Sequence, residues 1–237
     1  PQAMSSRILE KNLERHPSVR LLRGVEVVGL SREPDQVRIA LADLDSGRRQ
    51  EVVASFLAGC DGYRSRIRDL AGFRKKGKTY RARFIMADCS DRTGLGSGAH
   101  LYFGKEGSVE SCTFPAKPRR WIVQDNSRRP DPAAMGDRIR RIVAHRSGFD
   151  LSGSTMEFQS VFRPVRLQAN QYFRGRVVLC GDAAHTMSPI GGQGMNTGWA
   201  DAEHLCLALA RSITDPGATE KELERYQIAR RRAFRVA

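Results

Sequence analysis

The stretch Arg176-Val-Val-Leu-Cys-Gly-Asp-Ala-Ala-His185, followed by Pro189-Ile-Gly-Gly-Gln-Gly-Met-Asn196, decides the fold. Residues 177–180 are a continuous apolar run, which is typical of a strand that is buried on both faces of a sheet. Such a strand delivers Asp182 to the carboxyl edge of the sheet, where ligands of open α/β folds bind. Because a carboxylate accepts hydrogen bonds and Gly181 lets the backbone approach closely, the stretch predicts a hydroxyl-bearing ligand at this edge.

A glycine-rich loop follows, with Gly191, Gly192 and Gly194 just before a predicted helix. Backbone N–H groups and the positive end of the helix dipole suit a reduced flavin anion, a flavin peroxide or a pyrophosphate. Pro189 stiffens the approach to the loop. A glycine-rich loop alone is more often a turn, and Asp182 alone is more often a helix cap. The combined spacing with His185, Asn196 and Asp201 favours a binding function.

A second motif, Asp61-Gly-Tyr-Arg-Ser-Arg-Ile-Arg68, follows an apolar segment that ends at Leu57. Taken alone, Asp-Gly is a turn sequence and nearby arginines usually form a solvated face. A guanidinium group also pairs with phosphate through two hydrogen bonds. Arg64, Arg66 and Arg68 are therefore candidates for holding a nucleotide phosphate.

Together the two motifs resemble those of the FAD-dependent aromatic hydroxylases, the family of para-hydroxybenzoate hydroxylase, phenol and polyketide hydroxylases and kynurenine monooxygenase. The resemblance implies that Asp182, preceded by Gly181, binds the ribityl chain of FAD. It also implies that Pro189 lies near the reactive edge of the flavin and that the backbone of Gly192, Gly194, Met195 and Asn196 faces its pyrimidine end. For His185, which matches the pattern too, we favour a structural role.

The resemblance extends to the second motif and to the first helix. In relatives the Asp-Gly motif touches both FAD and the phosphates of the pyridine nucleotide, so Asp61 and Gly62 are predicted cofactor-binding residues. The helix before the first strands commonly carries an arginine that reaches the FAD phosphates, which makes Arg7 a candidate. An exposed helix arginine without a ligand is nearly as good an interpretation of Arg7.

The implied activity is that of an NADPH- or NADH-using monooxygenase. FAD is reduced, captures molecular oxygen as a flavin hydroperoxide, and transfers one oxygen atom to an aromatic or polyketide-like small molecule. The residues single out no catalytic base. Alternatives are an epoxidase, a halogenase, an antibiotic-inactivating hydroxylase or a non-catalytic binding module; Trp121 and Trp199 are isolated, so the Trp-x-Trp-x-Ile signature of flavin halogenases is not found.

The expected fold is α/β, with a Rossmann-like FAD-binding domain that is split in sequence and an α+β substrate domain built on an antiparallel sheet. We assign residues 1–76 and 174–237 to the FAD-binding domain and residues 77–173 to the substrate domain. The family's opening G-x-G-x-x-G turn has no counterpart, since Gly94-Leu-Gly-Ser-Gly98 lacks a strand–helix context. We therefore expect an incomplete FAD-binding domain that binds FAD poorly and is inactive by itself, through a missing front portion, natural truncation or divergence.

Hydrophobic periodicity predicts the individual elements. It places a helix over 5–16, capped by Ser5 or Ser6 and ended by Pro17. Four strands of a meander, short strands of a second sheet and three further helices follow. The meander strands are predicted at 19–22, 25–30, 37–42 and 52–57, the second sheet at 84–87, 99–103, 109–114 and 120–123, and the helices at 133–146, from the glycine-rich loop to about Arg211, and from a capping box at Thr219-Glu-Lys-Glu222.

Composition narrows the function classes. The net charge of +14 is concentrated in runs such as 74–78 and 230–232, which we interpret as solvated faces. Aromatic residues are not interleaved with these runs, so nucleic acid is not an expected partner. No apolar segment is long enough for a membrane span and no signal peptide is recognised. Five scattered cysteines predict buried thiols and a cytoplasmic location, not disulfides or a metal site. Oligomeric state is left open.

Overall fold

The computed structural model describes residues 2–114, 118–127, 133–189 and 192–236. Its helices are α1 (Gln2–Leu13), α2 (Arg66–Leu70), α3 (Met135–Ser147), α4 (Gln193–Thr214) and α5 (Thr219–Val236). Its strands are β1 (Val25–Arg32), β2 (Val37–Asp43), β3 (Arg49–Ala54), β4 (Leu57–Gly59), β5 (Lys75–Thr79), β6 (Arg83–Ser90), β7 (His100–Gly104), β8 (Gly107–Thr113), β9 (Pro118–Asp125), β10 (Met156–Phe162), β11 (Val165–Ala169), β12 (Phe173–Arg174), β13 (Val177–Leu179) and β14 (His185–Thr186).

The chain divides into two compact units. One consists of Pro1–Pro17 and Tyr80–Pro164, and the other of Ser18–Thr79 and Val165–Ala237. Each unit has a hydrophobic core of its own. The domain boundaries at 76 and 173 stay a prediction.

The strand that carries the first motif lies at the centre of a small sheet. β13 pairs in parallel with β4 and antiparallel with β12, and all three of its residues are buried. The prediction of a strand that is buried on both faces is therefore confirmed. Helices α4 and α5 contribute Leu205, Leu223 and Tyr226 to the same core.

The predicted meander has three strands rather than four. β1, β2 and β3 form an antiparallel sheet in that order. The segment 19–22 forms no strand, and its apolar side chains at Val19, Leu21 and Leu22 are exposed. The predicted strand at 52–57 is two strands, because β3 ends at Ala54 and Leu57 already belongs to the sheet of β13.

A lysine-rich strand was not predicted. β5, which has the sequence Lys-Lys-Gly-Lys-Thr, pairs with β11, and β11 pairs with β14. The five residues of β5 are exposed, so the interpretation of the charge run as a solvated face is confirmed. Glycine is required at position 77, because a Cβ there would lie 2.2 Å from the carbonyl oxygen of Arg166.

The unit that contains Tyr80–Pro164 confirms the predicted antiparallel sheet and its helix. The strand order is β10-β6-β9-β8-β7, and every neighbouring pair is antiparallel. Helix α3 covers one face through Ile139 and Val143. Trp121, on the central strand β9, is fully buried in this core.

Two predicted helix caps are wrong. Helix α1 already begins at Gln2, so Ser5 and Ser6 lie inside it, and it ends at Leu13 before Pro17 is reached. Helix α5 begins at Thr219, but the buried hydroxyl of Thr219 has no hydrogen-bond partner among the described residues. Glu222 instead accepts hydrogen bonds from Arg211 and Arg225, so the capping box does not form.

The cysteines are only partly as expected. All five are free thiols; Cys89 and Cys180 are buried and Cys112 is half-buried, but Cys60 and Cys206 are exposed. Over the ranges that the structure covers, the helices include none with the length and apolar character of a membrane span. The described residues contain no group of three or more His, Cys, Asp or Glu side chains that could hold a metal ion.

Candidate functional site

The chain turns sharply where β13 ends. Cys180 is extended, Gly181 adopts a left-handed φ of 59°, and residues Gly181–Ala183 form a short 3-10 helix. This turn leaves Asp182 exposed at the carboxyl edge of the sheet. Within the described part of the chain, no group donates a hydrogen bond to its carboxylate. Partial burial raises the pKa of Asp182, and the nearby His185 offsets this only in part.

The same loop leads to an uncapped helix end. Gly192 adopts a φ of 67° and immediately precedes α4, whose N-terminus is capped by no side chain of the described residues. The Gly192 N–H donates to the carbonyl of Pro189 at 2.9 Å. Gly194, Met195 and Asn196 lie in the first helical turn. Ile190 and Gly191 lie outside the described residues.

A buried ionic cluster holds this loop in place. Asp201 on α4 is fully buried, and its Oδ2 accepts a 3.1 Å hydrogen bond from the Gly181 N–H. The same oxygen lies 2.6 Å from His185 Nε2, and the other oxygen accepts from Arg230 Nε on α5. This geometry agrees with the structural role that we favoured for His185.

Arg230 is a site-supporting residue that the sequence analysis missed. The run 230–232 was interpreted as a solvated face, yet Arg230 is only 7% exposed. Its spacing from Leu223 and Tyr226 places it on the buried side of α5, and that periodicity was the available signal. Tyr226, on the same side, donates a 2.9 Å hydrogen bond to the carbonyl of Leu179 in β13.

The Asp-Gly motif forms a capped helix start. Asp61 Oδ2 accepts a 3.0 Å hydrogen bond from the Ile67 N–H, and Ser65 Oγ accepts a 2.9 Å bond from the Arg68 N–H. Gly62 adopts a φ of 78° in the turn between them. Asp61 itself is exposed, so capping α2 leaves it accessible from solvent.

Arg68 requires a correction. It was a candidate for a nucleotide phosphate, but its side chain is fully buried. Its guanidinium group donates to the carbonyl of Ala183 at 3.1 Å and to that of Tyr63 at 2.9 Å. Arg68 therefore ties the Asp-Gly motif to the Asp182 loop and has no accessible group for a dissolved phosphate.

The other predicted arginines are accessible. Arg64 stacks over the ring of Tyr63, and Arg66 forms an exposed ion pair with Glu26 at 2.8 Å. Arg7 lies on the exposed surface of α1. The structure thus brings Arg64 and Arg66 to the Asp61 motif, whereas Arg7 belongs to the other compact unit.

The two motifs meet at adjacent strand ends. β4 and β13 are parallel neighbours, and the Cys180 N–H donates to the carbonyl of Gly59 at 2.9 Å. The edge of the sheet therefore offers two exposed carboxylates, Asp61 and Asp182, beside one uncapped helix N-terminus. Carboxylates accept from hydroxyl groups and a helix N-terminus attracts negative charge, so this combination suits a ligand with a polyol chain and an anionic end.

Comparison with known proteins identifies the family. A family model described as an FAD binding domain matches residues 1–236. The chain is 32% identical over 208 residues to a flavin-dependent monooxygenase of Mycobacteroides abscessus, which covers 85% of this chain and 43% of that protein. It is also 32% identical over 211 residues to the 6-methylpretetramide 4-monooxygenase of Streptomyces rimosus. This match covers 87% of this chain and 37% of that protein.

The fold agrees with a solved structure of this kind. The p-nitrophenol 4-monooxygenase of Pseudomonas putida superposes with a TM-score of 0.88 at 24% identity, over 98% of this chain and 59% of that one. The chain thus spans 59% of that protein and less than half of each of the two relatives above. The expected fold class is confirmed. With a family model that covers residues 1–236, the chain belongs to the FAD-dependent aromatic hydroxylase family.

Proposed function

We propose that the chain is part of an FAD-dependent, NAD(P)H-using monooxygenase that hydroxylates an aromatic or polyketide-like small molecule. The observation that carries the proposal is the loop between β13 and α4. Among the described residues, none donates a hydrogen bond to the carboxylate of Asp182, and no side chain caps the N-terminus of α4 a few residues later. These two features match the polyol and anionic parts of a flavin cofactor.

Each residue of the loop has a defined task in this proposal. Asp182 accepts hydrogen bonds from the ribityl hydroxyl groups, and Gly181 positions it. The helix end at Gly192, Gly194, Met195 and Asn196 stabilises negative charge on the flavin ring, an electrostatic contribution from a fixed dipole. Pro189 shapes the loop beside the ring. When bound, FAD supplies the redox chemistry that passes electrons from a nicotinamide cofactor to oxygen, while the protein positions it and excludes water.

The Asp61 motif completes the proposed cofactor site. Asp61 and Gly62 lie at the neighbouring strand end, where their contact with FAD is supported by the parallel pairing of β4 and β13. Arg64 and Arg66, both exposed, are proposed partners for the phosphates of NADPH or NADH. Arg7 is proposed as an FAD phosphate ligand on the resemblance of its helix alone.

The proposed substrate domain, residues 77–173, offers a suitable sheet face. One face of the five-stranded sheet packs on α3, and the opposite face carries a half-buried group of side chains in adjacent register positions: Met86, Asp88, Glu110, Cys112, Arg120 and Ile122. Arg120 pairs with Asp88 at 2.6 Å and lies 4.7 Å from the ring of Phe114. Such a mixture of apolar, aromatic and paired charged groups suits a flat molecule that carries hydroxyl groups.

The test is to purify the full-length gene product and record its visible spectrum and its NADPH oxidation with candidate phenols. We expect a yellow protein in which Asp182→Ala weakens FAD binding about tenfold, the loss of a charged hydrogen bond of roughly 1.5 kcal/mol or more. Glu203→Ala, which removes an exposed carboxylate from α4, is the matched control and keeps the wild-type affinity. A protein that stays colourless and takes up no added FAD overturns the proposal.

A further inference from the structure

The two strands that deliver the motifs are each followed directly by a cysteine. β4 pairs with β13 in parallel, with Leu179 opposite Gly59, so the next residues on the two strands are Cys180 and Cys60. The Cys180 N–H continues the ladder by donating to the carbonyl of Gly59 at 2.9 Å. Neighbouring strands are about 4.8 Å apart, within the Cα separation of roughly 4.4–6.8 Å that a disulfide spans.

The two thiols belong to neighbouring positions of paired strands and are chemically unequal. The hydrogen bond from the thiol of Cys180 lowers the pKa of Cys60, whereas contact with Cys60 and burial raise the pKa of Cys180. Cys60 is exposed and Cys180 is only 4% exposed. Since the thiolate is the reactive form, Cys60 is the accessible nucleophile and Cys180 is its buried partner.

We propose that Cys60 and Cys180 form a reversible intramolecular disulfide when the protein meets a peroxide. The thiolate of Cys60 attacks one oxygen of hydrogen peroxide. A sulfur–oxygen bond forms, the oxygen–oxygen bond breaks, and Cys60 becomes a sulfenic acid while hydroxide leaves. The thiol of Cys180 then attacks the sulfenic sulfur, and the hydroxyl group leaves as water with the thiol proton. The two sulfur atoms lose two electrons in total, and the peroxide is reduced to water.

The disulfide would fix the distance between two strand ends that no other covalent bond joins. Cys60 immediately precedes Asp61, and Cys180 immediately precedes Gly181 and Asp182. The pair is therefore a redox-sensitive modification site at the base of both loops. This inference needs only the two thiols and a peroxide, and it holds whether or not the chain binds FAD.

The test treats the reduced protein with up to one equivalent of hydrogen peroxide, blocks the remaining thiols with N-ethylmaleimide, and maps the peptides by mass spectrometry. We expect a peptide pair that joins Cys60 to Cys180, lighter by two hydrogen atoms than the sum of its parts. Dithiothreitol should abolish it. The pair should form before Cys206, which is also exposed and does not lie beside Cys60 or Cys180 on these strands, is oxidised.

Variants separate the two roles. Cys180→Ser should leave a sulfenic acid on Cys60 that dimedone traps, Cys60→Ser should leave Cys180 fully reduced, and Cys206→Ser should keep the cross-link. The wild-type map stands by itself if a variant fails to fold. Oxidation of Cys206 at doses that produce no joined peptide overturns the proposal, as does a cross-link whose yield rises with protein concentration, because that dependence marks bonds between chains.

Discussion

Asp201 shows how one buried carboxylate organises the candidate site. Its carboxylate accepts a hydrogen bond from the Gly181 N–H in the loop, contacts His185 of the following strand, and pairs with Arg230 of the last helix. A buried carboxylate of this kind is tolerated only when its oxygens are fully paired. Asp201 therefore fixes the backbone that presents Asp182, although it is itself inaccessible to a ligand.

Arg68 has the corresponding task between the two motifs, and its removal gives a stability prediction. Arg68→Met should lower the free energy of unfolding by about 3 kcal/mol, because the carbonyls of Tyr63 and Ala183 lose a charged donor in the core. Arg64→Met, at an exposed position two residues before α2 begins, should change this free energy by less than about 0.5 kcal/mol. Urea unfolding of both variants measures the difference; equal stabilities would contradict the structural role of Arg68.

The residue scale also shows what the sequence reveals and what it conceals. The placement of Gly181, Asp182 and Gly192 in a loop after a buried strand was predictable, because glycines and an acidic residue after such a strand carry a backbone signal; their role in binding stays a prediction. The predictions for Arg68 and Arg230 were wrong, because a sequence rich in arginine looks the same whether a given side chain is solvated or buried. Only the helical spacing relative to apolar neighbours distinguishes the two states, and a single isolated motif such as 61–68 is too short to display it.

At the scale of elements, Asp125 joins two strands to a helix. It is the last residue of β9, its side chain is fully buried, and it pairs with Arg83 on β6 at 2.7 Å and with Arg138 on α3 at 2.6 Å. Burial alone would raise its pKa, but hydrogen bonds from Ser127, Arg138 and Arg83 outweigh burial and lower the pKa of Asp125 to about 2.

This arrangement predicts an acid-sensitive stability. A folded-state pKa of about 2, below the ordinary 3.8, means that the contribution is present above pH 3.8 and is lost as the pH falls toward 2. Asp125→Asn should remove roughly 2 kcal/mol of pH-dependent stability over that window. Urea unfolding at about pH 5 and about pH 2 measures it. Asp137→Asn, an exposed carboxylate on α3, should keep the wild-type dependence; if Asp125→Asn keeps it too, the pairing does not govern acid stability.

Strand prediction succeeded where alternation or continuous apolarity was strong, as in β6, β9 and β13. It failed for β5, because three lysines in five residues contradict strand propensity and pairing with β11 is what holds that segment extended. It also failed at 19–22, where an apolar segment has no partner strand in the described ranges. Pairing with segments distant in sequence decides these cases, and one sequence alone does not show it.

At the scale of the whole molecule, the net charge of +14 favours non-specific electrostatic binding to polyanions and does not imply specific binding to any one of them. The exposed lysines of β5 are part of this charge. We expect weak binding to double-stranded DNA at low salt that is largely lost by about 0.15 M salt and is the same for unrelated duplexes. Fluorescence anisotropy with two labelled duplexes measures it. Tight, salt-resistant binding to only one of them would contradict this expectation and favour a nucleic-acid function.

The parallel pairing of β4 with β13 also bears on the order in which the chain matures during translation. Residues 57–59 leave the ribosome long before residues 177–179, and their ladder closes only after the segment between the two strands has emerged. The intervening segment, by contrast, holds a complete five-stranded sheet with its own helix. Synthesis from the N-terminus thus favours folding of this middle segment first. Until β13 has been synthesised, β4 stays unpaired and its apolar surface stays exposed.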